Sequence, residues 1–209
     1  GPRQAAGEAR RWTREGAEAL AQLKARSMEL KWKAKADLLG GAADALGQAG
    51  RALAEAHPGG SLPPARSVQD AAAHSEAQGA ASNAALSGVG QEEALAALGA
   101  VQDVLGERGK NVHVLGAALR LLAAAGVLAG DRAPHCAAWR VVFPALVGLL
   151  RDSARVVANA AMAAADALHL RCFRLGDPAA LGFIVNELRT LGGGGGGGKA
   201  AGKAGGGAA

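Results

Sequence analysis

Isoleucine occurs once in this chain, valine thirteen times and tyrosine not at all. That shortage removes the β-sheet as an organising element, because a pleated surface is filled by β-branched and aromatic side chains. In their place stand 54 alanines and 32 glycines. Alanine and leucine are the strongest helix formers, so the chain is predicted to be all-α, built from thin, closely packed helices. Glycine lacks the every-third-residue period of collagen. No charge-free apolar run reaches the roughly 18 residues of a membrane span, and no membrane partner is expected.

The net charge is +5 and the pI about 9.7. The excess lies at the front, where residues 1–35 hold nine Lys or Arg against four Glu. Such a surplus suits an acidic partner and by itself does not choose among nucleic acid, anionic lipid and acidic protein. Cys136 and Cys172 read as small buried hydrophobes in a reducing compartment. The five histidines lack zinc-ligand spacing, and there is no Walker loop or nucleophile elbow. Asp152 and Asp166 are isolated carboxylates. No metal, no cofactor and no enzymatic activity are expected.

Four segments are legible. Residues 1–56 hold a basic front and a first helix pair, about Gln4 to Met28 and about Leu30 to the break at His57-Pro58-Gly59-Gly60. In its second helix Leu39, Ala42, Leu46, Ala49 and Leu53 share one face. Residues 57–90, with three prolines and scattered Gly and Ser, read as a disordered insertion. Residues 91–191 return to helical texture. Ala94, Leu95, Leu98, Val101 and Leu105 form one face; Val112, Leu115, Leu119 and Leu122 form the next. After a break at Asp131-Arg132-Ala133-Pro134, His135 to Leu150 is helix-like, with Pro144 expected to kink it or start a second piece. Arg151-Asp152-Ser153 is a turn. Val156, Val157, Ala160, Ala161, Ala164, Ala167 and Leu168 make a further face, and Asp177-Pro178 opens a last helix. Residues 192–209, beginning with seven glycines, form a low-complexity tail that should be disordered.

The later turns recur after about 45 residues, the period of HEAT or armadillo helix pairs. A pair of thin helices cannot close a core alone, whereas stacked pairs bury a continuous one. Phe143-Pro144-Ala145-Leu146 through Arg151-Asp152-Ser153 and Val156 resembles a HEAT repeat. Three places narrow the likeness: Lys31-Trp32-Lys33-Ala34-Lys35, followed by Leu38 and Leu39; Asn111-Val112-His113-Val114, followed by Ala117, Ala118 and Leu121-Leu122; and Phe143-Pro144 through Val156-Val157-Ala158-Asn159-Ala160. With these the chain resembles a TOG domain, the tubulin-binding HEAT module of microtubule polymerases and CLASP proteins. The likeness spans roughly 16–56 and 91–191, with Lys35 where the family has Arg.

The resemblance implies an α-α superhelix that binds the αβ-tubulin dimer through its intra-repeat turns and promotes or regulates growth at microtubule plus ends. It implies a cytoplasmic, cytoskeletal location on microtubules or the spindle. By the same resemblance Trp32 is the anchor, with Lys33, Arg108, Lys110, Asn111 and Arg151 as polar contacts. From the residues alone, Trp32 is also consistent with a core filler, Asn111 with a helix N-cap, and Asp152 beside Arg151 with another cap. The alternative function is a HEAT or armadillo scaffold for a different protein. A nucleic-acid partner is not expected.

Overall fold

The computed structural model describes residues 2–26, 29–56, 90–107 and 111–172. The insertion at 57–89, the helix expected after Asp177, the tail, and the contact residues Arg108 and Lys110 lie outside them. The described residues form six α-helices and no strand: α1 Pro2–Arg26, α2 Trp32–Ala56, α3 Gln91–Gly106, α4 Val112–Ala129, α5 Trp139–Leu149 and α6 Arg155–Cys172. A 3₁₀ turn, Gly130–His135, joins α4 to α5.

Local chemistry marks several helix ends. Glu92 and Glu93 fill the first turn of α3, where carboxylates meet the positive end of the helix dipole. Lys24 and Arg26 sit in the last turn of α1, at the opposite pole. Asn111 caps α4: its side-chain oxygen accepts from the His113 amide at 2.9 Å. Asp152 Oδ1 accepts from the Ala154 amide at 2.8 Å just ahead of α6. Gly90 precedes α3 in the left-handed region, φ 74°, and packs against Thr13 of α1 so closely that a β-carbon would run into Thr13 Cγ2. Thr13 itself is buried and satisfies its hydroxyl by donating to the Arg10 carbonyl at 3.1 Å.

The helices pack as three successive hairpins in two layers. α1 lies on α2 and α3 on α4 over large areas, whereas α5 touches α6 only lightly. Along one layer α2 packs extensively on α4, and α4 on α6; along the other, α1 touches α3 and α3 touches α5 over smaller areas. The interior is alanine and leucine. Leu39, Ala42, Leu46, Ala49 and Leu53 of α2 are all buried, as the 3-4-3-4 spacing predicts. Leu20 and Leu23 of α1 and Ala94, Leu98, Val101 and Leu105 of α3 join the same core. Each buried leucine contributes about 1.5–3 kcal/mol, while the alanines let helix axes approach.

α4 is the centre of the stack. By length and composition alone it could cross a membrane, but 61% of it is buried inside the protein. It owes that apolarity to its position, since it contacts α2, α3, α6 and the 3₁₀ turn.

Three local expectations are corrected. α5 runs as one helix from Trp139 through Pro144 to Leu149, so Pro144 does not start a second piece. The missing proline N–H deprives the carbonyl of Arg140, four residues back, of its helix partner. Arg140 is exposed, so water can take the place of that bond. Residues 130–135 form the 3₁₀ turn rather than a plain break, and α5 starts later than His135. Val112 and Val156 are exposed, not part of the buried faces. Each sits in the first turn of its helix on the side turned to solvent, whereas Val157, in the same turn of α6, is buried.

Candidate turn edge and adjoining groove

The starts of α2, α4 and α6 come together at one edge of the molecule. Trp32, the first residue of α2, stacks on His113, the second residue of α4, with ring centroids 5.4 Å apart and planes inclined by 23°. Lys35, one helical turn further along α2, reaches the α3–α4 turn, its Nζ 3.1 Å from each carboxylate oxygen of Glu107. Ala160, in the second turn of α6, lines the same groove as Trp32 and His113. The N-termini of α2 and α4 therefore bring their partial positive charges together at this edge.

Trp32 is 49% exposed. The indole is thus not a core filler: one face rests on the imidazole and much of the rest meets solvent. Of the lysines around it, Lys31 and Lys33 are exposed, whereas Lys35 is largely covered and held by Glu107. Arg151 is exposed in the α5–α6 turn, beside Ser153 and Arg155, also exposed. Asn111 uses its carboxamide oxygen internally, as the α4 cap. Among the contacts expected from sequence, Trp32 and Lys33 are exposed at this edge and Arg151 is exposed in the α5–α6 turn, while Asn111 shapes the turn before α4.

Behind the Trp32–His113 stack lies a shallow groove of about 450 Å³ between α2 and α4. Its floor is made of small residues, Ala36, Gly116, Ala117 and Ala160, and its polar rim is Lys33, Asp37 and Arg120. Sequence reasoning assigned no role to His113 or Arg120. His113 carried a signal, since it stands within the second turn motif, but the stack depends on how far α4 is offset from α2. Arg120 lies deep in an apolar helix. Its guanidinium crosses onto α2 over Gly40, where a β-carbon would stand 2.8 Å from Arg120 Nη2. From that position Arg120 sits 3.8 Å from Asp44 in a well-exposed pair, an arrangement worth little in stability.

A larger cleft of about 700 Å³ opens between α1 and α3 in the other layer. Its charged lining is Lys24 against Glu93, Asp103 and Glu107, the opposite sign to the turn edge. Among the described residues no three His, Cys, Asp or Glu side chains are grouped to hold a metal. Comparison of the chain with family models, with curated proteins and with solved structures yields no match.

Proposed function

We propose that the chain is a HEAT-like helical array, similar to a TOG domain, and that it binds the αβ-tubulin dimer along the edge where α2, α4 and α6 begin. The observation that carries this reading is Trp32: a large aromatic, half exposed, at a hairpin turn between exposed lysines. Tryptophan is enriched among residues that dominate interface energetics. The hairpin order of the helices and the two-layer packing support the HEAT-like description. Lys31 and Lys33 supply exposed positive charge beside Trp32, and Arg151 and Arg155 are exposed around the start of α6; such charges suit the steering of an acidic surface.

The proposed action is stoichiometric. The edge holds a soluble tubulin dimer, and where the same polypeptide also engages the microtubule, the dimer's effective concentration near the growing end rises. This places the protein in the cytoplasm, on microtubules. The test is Trp32→Ala. Loss of a central anchor costs about 2 kcal/mol or more, about 30-fold in affinity, so co-elution with unpolymerised tubulin should disappear while circular dichroism stays unchanged. Unchanged co-elution would refute the tubulin reading and leave a helical scaffold for another partner.

A further inference from the structure

We propose that the groove between α2 and α4 is part of the binding surface and receives an acidic side chain of the bound protein, with Arg120 as its cationic end. This inference rests on the turn-edge reading above.

The geometry that points to it is the continuity of three features. Trp32 and His113 form one wall at the edge, Lys33 and Arg120 bring two permanent positive charges to the rim, and Ala160 of α6 closes the floor. Asp37 is the single carboxylate among the lining residues. Arg120 is eight residues into α4 from Val112, so the groove carries the surface about 12 Å down from the turns. The small residues below leave room for a carboxylate on a short stem. Arg120 is free to turn toward it, since its pairing with Asp44 is long and both side chains are well exposed. Of the two clefts, this one has the charge complementary to an acidic partner, whereas the α1–α3 cleft has an acidic rim.

The experiment measures binding of unpolymerised tubulin to the full chain, to Trp32→Ala and to four further variants, by co-elution and by an affinity titration at two salt concentrations. Arg120→Glu should weaken binding about tenfold or more by setting like charges against each other. Arg120→Gln should weaken it less and flatten the salt dependence. Asp37→Asn should tighten binding, a gain that misfolding would not produce. Arg140→Glu, an exposed arginine of the other layer, should bind as the parent chain does. Melting temperatures establish that each variant is folded. If Arg120→Glu is not folded, Arg120→Gln and Asp37→Asn decide. Parent-like binding by the folded Arg120 variants, alongside loss of binding in Trp32→Ala, overturns the groove and leaves the turn edge standing. Equal weakening in Arg140→Glu also overturns it, because overall charge would then be the cause. If Trp32→Ala itself binds normally, the turn-edge reading falls and the groove assignment falls with it.

Discussion

An imidazole laid against an exposed indole restricts torsions that would otherwise let the indole sweep the surface. In this protein His113 does that for Trp32. An interface side chain that must be ordered on binding costs about 0.5–1.5 kcal/mol, so the stack pre-orders the anchor. If the chain binds tubulin as proposed, His113→Ala should weaken that binding about 2- to 12-fold, and His113→Phe should restore most of it by keeping a ring beneath the indole. In a Trp32→Ala background His113→Ala should change nothing more, and a titration of all four proteins checks this. The backbone amide of residue 113 still donates to Asn111 in either variant, so the start of α4 keeps its cap. A second residue-scale device is the pair Lys35 and Glu107, which ties the first turn of α2 to the turn before α4 and so fixes the distance across which the stack forms.

At the scale of elements, much of the fold was legible from spacing. The face Leu39-Ala42-Leu46-Ala49-Leu53 is buried as its periodicity requires, as are Ala94, Leu98, Val101 and Leu105 of the next, with Leu95 only partly covered; except at the start of α5, the expected helix limits fall close to the observed ones. What misled was alanine. In α6 it takes seven of the 18 positions, spread over more than one side of the helix, so the apolar face has little contrast and its phase is poorly marked. Val157, Ala161, Ala164 and Leu168 are buried, whereas Val156 is 63% exposed. The sequence joined both valines to one face; the packing separates them. Val156→Asp should therefore change stability by no more than about 0.5 kcal/mol. Val157→Asp buries an unpaired carboxylate and should cost several kcal/mol, read as a large fall in melting temperature. The candidate site was legible only in part. Trp32 and its lysines announce themselves as an aromatic among charges, but the groove draws on α2, α4 and α6, and no linear spacing encodes their relative offset.

For the whole molecule, the two layers are unequal. The layer of α2, α4 and α6 is tightly packed, and the layer of α1, α3 and α5 is looser and cleft. Stability should follow the same division. Amide hydrogen exchange should be slowest in α4, which is covered by neighbours on several sides, and faster in α5 and at the outer ends of α1; uniform protection across the six helices would contradict this. The arrangement also puts the turn edge on the stiffer layer, so a partner meets groups held by the best-packed helices. The apolarity of α4 carries a further consequence for biosynthesis. Its greasy flank is laid down before α6 exists to clothe it, and at about 5–20 residues per second the nascent chain spends a few seconds with that flank bare. A cell making this protein must shield the ribosome-borne intermediate, or translate quickly past it, to keep newborn chains from sticking to one another.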